Sequence, residues 1–283
     1  MSDERSPPTP TRGAFVSKQP NGRMSEEPRI PVAPEDETEI PESHPRHESL
    51  LARHRIEEGV EKGITSLQGL IAQGRSEAYD YLLGERTTES ADAAARAAAA
   101  HFLLADHPVI SVNGNVAALC PDAVVDLAEA TDADIEVNLF NRTDERMVAI
   151  AKHLREHGAS EVKGLAADAE IPGLDHARAT VDADGIHAAD VVLVPLEDGD
   201  RAAALDAMGK TEIVIDLNPL SRSPQVADVP IVDNLVRALP RIAEHARELC
   251  DESREGLETV VEAFDREAAL DAAERTIRSS ATD

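Results

Sequence analysis

Aromatic residues make up 2% of this 283-residue chain, and tryptophan is absent. A core can still be built, because hydrophobic residues reach 42%, but it is a core of small side chains such as Ala and Val. Basic residues are also scarce. Lys and Arg together number 28 against 55 Asp and Glu, so the net charge is 28 − 55 = −27. A field this negative repels phosphate backbones and excludes a general nucleic-acid binder. The cysteines are Cys120 and Cys250, too few for a disulfide framework. No apolar run approaches the ~20 residues that span a bilayer, and the opening MSDERSPPTP lacks the apolar core of a signal peptide. These absences predict a soluble, cytoplasmic protein.

Lysine is depleted even among the bases. Lys occurs at 18, 62, 152, 163 and 210 only, and the remaining 23 basic residues are Arg. Acidic residues are spread along the whole chain. High salt screens such self-repulsion, since the Debye length falls to ~3 Å at 1 M. The composition therefore predicts a protein adapted to a salt-rich cytoplasm, that of a halophile.

Residues 1–39 carry seven prolines and few large apolar side chains. Such a segment cannot bury enough surface to offset its ordering entropy, which predicts a disordered leader, and Met24 offers an alternative start. From Ile40 the pattern turns helical. A helix is expected over 47–62, closed by Gly63. Two short helices separated at Gly74 are expected next, the second ending at Gly84. An Ala-rich helix over 89–104 follows, with Ser90 as its N-cap. From 108 the pattern alternates. Strands are expected at 109–113, 135–140, weakly at 161–164, at 190–195, 213–217 and 231–232. Helices are expected at 121–130, 143–157, 200–208 and 234–249, with 171–185 irregular. Continuous Val and Ile runs fit strands covered on both faces. The fold class expected is α/β: a doubly wound, mostly parallel Rossmann-like sheet preceded by an N-terminal helical segment. The domains are then 1–39 as leader and 40–250 as the folded unit (40–107 helical, 108–250 Rossmann-like). Residues 251–283 form an acidic helical tail.

Open parallel sheets bind ligands beyond the carboxyl ends of their strands. The residues there are Asn113-Gly114-Asn115, then Asn138 with Asn141-Arg142, then Glu197 to Arg201, then Asp216 to Ser223. Glycines admit a ligand close to the backbone, helix starts offer free amides, and Arg presents a fork suited to phosphate or carboxylate. Arg gathered there in so acidic a chain points to a phosphorylated ligand. From strand-end position alone, Asn113, Asn115, Asp198 and Arg201 are candidates for substrate or Mg2+.

Named nucleotide motifs are missing. No G-x-G-x-x-G follows the first strand, which argues against a nicotinamide oxidoreductase. Met208-Gly209-Lys210-Thr211 imitates the end of a phosphate loop, but it precedes a strand and reads as a helix C-cap. No His/Cys cluster has zinc spacing. Cys120 reads as a small buried side chain and His157 as a partner of its helix C-terminus. His44, in Ser43-His44-Pro45-Arg46, fits a turn or an anion contact. Asp198-Gly199-Asp200 fits a helix cap or a divalent cation.

Longer strings carry a resemblance. Residues 40–46 (IPESHPR), Gln73-Gly74-Arg75 within 63–75, and 79–85 (YDYLLGE) are similar to the archaeal phosphopantothenate synthetase family. So are 111–115 (SVNGN), 136–140 (EVNLF), 194–201 (VPLEDGDR) and 215–223 (IDLNPLSRS). The likeness spans about 40–250. The leader and acidic tail stand outside it, and His47 replaces an aromatic usual in the family. The resemblance implies an ATP-dependent ligase of coenzyme A biosynthesis. It would join the carboxylate of 4-phosphopantoate to the amine of β-alanine through an acyl-adenylate, releasing AMP and diphosphate. It implies ATP contacts from Arg53, Arg75, Asp216, Leu217, Asn218, Arg222, Ser223, Asn234 and Leu235. It also implies Mg2+ with the nucleotide and a homodimer, for which the Ala-rich helix offers a packing face. The competing reading is a non-catalytic nucleotide-binding regulator on the same sheet.

Overall fold

The structure, a computed structural model, describes residues 40–196 and 199–280. The leader expected at 1–39 lies outside the described residues, as do Glu197, Asp198 and 281–283.

Three helices open the fold: α1 (His47–Glu61), α2 (Leu67–Leu83) and α3 (Glu89–Leu104). The break expected at Gly74 does not occur, and α2 runs through it. Helical glycine costs ~1 kcal/mol relative to Ala, which the packing of α2 between neighbouring helices offsets. Thr88, not Ser90, caps α3: its hydroxyl accepts from Ala91 N at 3.2 Å, while Ser90 is already inside the helix.

The alternating part comprises β1 (Pro108–Val112), α4 (Gly114–Leu119), α5 (Pro121–Thr131), β2 (Asp134–Val137) and α6 (Asp144–Glu156). It continues with β3 (Ala169–Glu170), β4 (Thr180–Val181), β5 (Val191–Pro195) and α7 (Gly199–Ala207). Then come β6 (Thr211–Ile215), α8 (Arg222–Val226), β7 (Val229–Ile231) and α9 (Leu235–Leu249). Last are α10 (Arg254–Glu262) and α11 (Arg266–Ser280).

Several expectations need correction. β2 stops at Val137, because the Asn138 side chain turns to donate to the carbonyls of Arg178 (3.2 Å) and Thr180 (3.1 Å). The weak strand at 161–164 is one parallel bridge, Glu136 to Lys163. The stretch expected to be irregular holds the antiparallel β3–β4 hairpin. The tail is two helices, divided where Asp265 accepts from Ala268 N at 2.9 Å.

Five strands form a sheet in the order β2-β1-β5-β6-β7, every pair parallel. Side chains alternate between its faces. Ile110, Val112, Leu193, Ile213 and Ile215 pack beneath α3, α5 and α9, while Val109, Val192, Val194 and Val214 pack with Leu205 of α7 on the other side. The alanines of α3 are spent here. Ala94, Ala97, Ala98 and Ala100 are buried within the chain, where α3 packs on α9, α10 and β7. Helix α3 is therefore not a face for a second copy.

Gly209 (φ +75°) ends α7 as a C-cap, and the buried Lys210 donates to the carbonyls of His187 (2.9 Å) and Ala189 (2.6 Å), so this GKT cradles no phosphate. Cys120 is buried, and burial pushes its thiol pKa up. No helix among the described residues is long and apolar enough to cross a membrane.

The second face also buries charge. Arg201 is fully buried and donates to Ser111 Oγ at 3.2 Å. Glu136 accepts from the backbone of Asp182 (3.1 Å) and Ile186 (2.6 Å), yet burial lifts it to about 7. Among the described residues neither carboxyl oxygen of Glu212 has a hydrogen-bond partner, and burial, opposed by the charge of Arg201, lifts it to about 8. The folded chain thus holds this proton well past 4.5, where the unfolded chain releases it. That contribution to stability is fully present below about pH 4.5 and falls as the pH rises through about 8. Glu212→Gln should therefore flatten the loss of stability between about pH 5 and about pH 8, read as urea midpoints. An unchanged pH slope would contradict this.

Candidate functional site

The crossover from β2 passes over β1 to reach β5, so the sheet changes winding direction between β1 and β5. Strand ends splay at such a point and leave a crevice. Here the crevice has a volume of about 320 Å³ and is bounded by Asn113, Leu196 and Asp216 after β1, β5 and β6, and by the start of α2.

Asn113 builds its floor. Its side-chain oxygen accepts from Asn115 N (3.0 Å) and Val116 N (3.1 Å), capping α4, while its amide donates to Pro195 O (3.0 Å) at the end of β5. One side chain thus ties two strands and a helix. The Asn115 amide donates to Gly69 O at 3.0 Å and brings α4 against α2. That approach needs glycine twice. A Cβ on Gly69 would lie 2.3 Å from Asn115 Oδ1, and one on Gly114 would lie 2.4 Å from Ile64 O. Asn113 spends both its side-chain polar atoms on the scaffold and Asn115 its amide, so they shape the crevice.

Cations line it. Arg146, one turn into α6, donates to Asn141 O (2.6 Å) and Ile64 O (2.9 Å), and its buried Nε has no partner. Arg178 projects from the turn before β4. Arg75 of α2 makes no ion pair among the described residues. It lies close enough to Asp216 to favour the charged carboxylate, against the burial that pushes the Asp216 pKa up. Asp216 also accepts from Asn218 N (2.9 Å) and Ser221 Oγ (2.5 Å), which fixes the loop after β6. α2 begins in the crevice, and its N-cap Ser66 makes no side-chain capping bond. The start of a helix and a guanidinium that makes no ion pair among the described residues, that of Arg75, are what a polyanion needs.

The other candidates lie in separate places. Arg53 is in a two-point pair with Glu77 (2.7 and 2.8 Å), joined by Arg46 at 3.2 Å, and the pair holds the Glu77 carboxyl below the usual range. Glu77 and Asn234 line a second cleft of about 400 Å³ with Gln73, Asp80 and Arg237. Asn234 caps α9 through Val236 N (3.3 Å) and donates to Asp80 at 2.8 Å. α2 separates the two clefts, with Arg75 and Ser76 facing one and Gln73, Glu77 and Asp80 the other. Leu217 and Leu235 are core residues. Asn218 stays in the loop, its side chain accepting from Leu220 N at 3.1 Å. Ser223 is buried in the first turn of α8. Arg222 pairs with Asp200 at 2.7 Å, beside the start of α7. Arg201 turns away beneath the sheet, and Asp198 lies outside the described residues. His44 forms the turn, its Nδ1 accepting from Arg46 N at 3.0 Å.

Sequence reasoning missed Arg146 and Arg178 as members of the crevice. Arg146 carried a usable signal, sitting at the start of the helix after the second strand. Arg178 carried none, because its place depends on the two-residue strands of the hairpin. Among the described residues, no group of three or more His, Cys, Asp or Glu is gathered for a metal. A nucleotide-borne Mg2+ would still fit, since it draws most ligands from phosphate and water and needs one or two carboxylates. Asp216 is the carboxylate present in the crevice.

A model of the phosphopantothenate/pantothenate synthetase family matches residues 90–280. The match runs through α10 and α11, so the tail expected to stand apart from the family belongs to it. Similar proteins include one named 4-phosphopantoate--beta-alanine ligase from Thermococcus kodakarensis, 57% identical over 82% of this chain and 89% of that protein. Another of that name, from Methanosarcina mazei, is 58% identical over 82% of this chain and 92% of its own. A third, from Methanospirillum hungatei, is 56% identical over 77% and 89%.

The double role of Asn113 can be separated. Asn113→Asp keeps the α4 cap and loses the donor to Pro195, whereas Asn113→Ala loses both. The alanine variant should lose ~1–2 kcal/mol in urea denaturation, with the aspartate variant between it and the parent. Equal stability of all three proteins would contradict the clamp.

Proposed function

The chain belongs to the phosphopantothenate/pantothenate synthetase family, and from that premise we propose that it couples ATP cleavage to AMP and diphosphate with amide formation between 4-phosphopantoate and β-alanine. It is an acid–amino-acid ligase, the step being one of coenzyme A biosynthesis. The observation that carries this reading is the crevice at the winding switch, where Arg75, without an ion pair among the described residues, stands near Asp216 with two further arginines and the start of α2.

A carboxylate is a poor acyl donor because its oxygen leaves badly. Linking that oxygen to the α-phosphorus of ATP, with diphosphate departing, gives it a good leaving group, and the neutral amine of β-alanine then displaces AMP. Such chemistry asks the protein for positioning and for cations where charge moves. Arg75, with the first amides of α2, suits the phosphates of the nucleotide. Asp216, Leu217, Asn218, Arg222 and Ser223 supply the loop beside them. Arg53, Asn234 and Leu235 supply the side beyond α2, Arg53 reaching a phosphate only by sharing Glu77. Arg146 and Arg178 suit the phosphate of 4-phosphopantoate. Mg2+ held by the phosphates and Asp216 would neutralise the departing diphosphate. The resemblance to ligases over four-fifths of the chain weighs against a non-catalytic regulator.

The assembly we propose is a homodimer. Leu67 and Ile71 lie one turn apart on α2 and are 69% and 76% exposed, an apolar stripe suited to a second copy. The charge of −27 calls for assays in molar KCl.

In molar KCl, AMP should form only when ATP, 4-phosphopantoate and β-alanine are all present. Arg75→Ala should lower kcat/KM for ATP by ~100-fold in a folded protein. No AMP above blanks would overturn the reaction, and normal kinetics in Arg75→Ala would remove that arginine from it. Light scattering should give twice the 30.3 kDa chain mass, reduced to the single mass by Ile71→Glu. A monomeric parent protein would overturn the dimer.

A further inference from the structure

A second cavity, of about 330 Å³, opens away from the crevice between the end of α1, the α4–α5 junction and the last turn of α6. His153 and His157 enter it from α6. Four residues apart, they share one face of the helix, and their ring centroids are 4.5 Å apart with an interplanar angle of 67°. Each ring is oriented by an oxygen. The His157 Nδ1 lies 2.7 Å from Asp122 Oδ1. A carboxylate only accepts, so Nδ1 carries a proton there, and Nε2 is the nitrogen left to face a ligand. His153 donates to the carbonyl of Ala117, and burial keeps this ring below the usual histidine range. Its other nitrogen is likewise left to face a ligand. Metal-binding imidazoles are held in this way, one nitrogen donating to a carboxylate or carbonyl and the other left to the ion.

We propose that His153 and His157 chelate a divalent transition-metal ion through their free ring nitrogens, water completing its coordination. Asp122 and the Ala117 carbonyl serve as the orienting acceptors. The surroundings permit the charge. His153 lies in the last turn of α6 and His157 is its C-cap, where the helix dipole favours a cation. Of the cations lining the cavity, Lys62 is paired with Glu58 at 2.9 Å and Arg55 is tied to the Leu119 carbonyl at 3.1 Å. Two imidazoles suit Zn2+, Co2+, Ni2+ or Cu2+ rather than Mg2+, which takes oxygen ligands. The site is separate from the ligase crevice.

Titration calorimetry of the full chain at pH 7.5 in KCl, with the chloride salts of Co2+, Zn2+ and Cu2+, tests this. One ion should bind per chain, with Cu2+ tighter than Zn2+ or Co2+. His153→Gln and His157→Asn should each weaken Zn2+ binding by more than ~10-fold, and Asp122→Asn by ~10-fold. Arg75→Ala should leave it unchanged. On the unsubstituted chain, Cu2+ should broaden the ring resonances of His153 and His157 first. No heat of binding, equal binding by the His153/His157 double variant, or broadening centred on His44 and His47 would each overturn the assignment.

Discussion

β1 and β5 end together because one asparagine binds both. Asn113 caps α4 with its oxygen and grips the last carbonyl of β5 with its amide. The sheet changes direction between these strands, so the clamp acts where strands would otherwise diverge. From it follow the place of α4, the contact of α4 with α2 through Asn115 and Gly69, and the width of the crevice they share.

The second constraint is charge. A chain at −27 repels the anions its family handles. Many arginines are spent on carboxylates, as in Arg222 with Asp200, Arg247 with Asp126 and Arg53 with Glu77. The crevice differs. Among the described residues Arg75 there has no ion pair, and Arg146 spends its hydrogen bonds on carbonyls, which orient the guanidinium without neutralising it. Among the described residues, positive potential is thus built inside a negative molecule with Asp216 as the carboxylate that faces it, its pKa pushed up by burial and down by Arg75.

Much of the fold was legible because strands covered on both faces need continuous apolar runs, and PVISV, VVLVP and TEIVI supply them. The parallel, doubly wound class followed from the helices between the strands, whereas the strand order did not. What was not legible depended on tertiary packing. The helix through Gly74 is continuous because its neighbours hold it, whatever its local propensity. The β3–β4 strands are two residues each, too short for a periodicity. The small side chains of α3 suggested a mate, but they serve close packing on α9. In the site, strand-end position found Asn113, Asn115 and Asp216. It could not foresee that Asn113 and Asn115 would spend their bonds on the scaffold, or that Arg201 would turn under the sheet onto Ser111. Arg146 and Arg178 converge from segments 32 positions apart in the chain (178 − 146 = 32); the place of Arg146 after a strand could have marked it, whereas no local pattern marks Arg178.

The central claim is that the crevice at the winding switch grips the polyphosphate. A crystal structure with a non-hydrolysable ATP analogue, grown in molar KCl, tests it most directly. The account predicts phosphate oxygens within hydrogen-bond distance of the Arg75 guanidinium and of the first amides of α2, beside Asp216. A nucleotide seated elsewhere, with Arg75 still open to solvent, would contradict it.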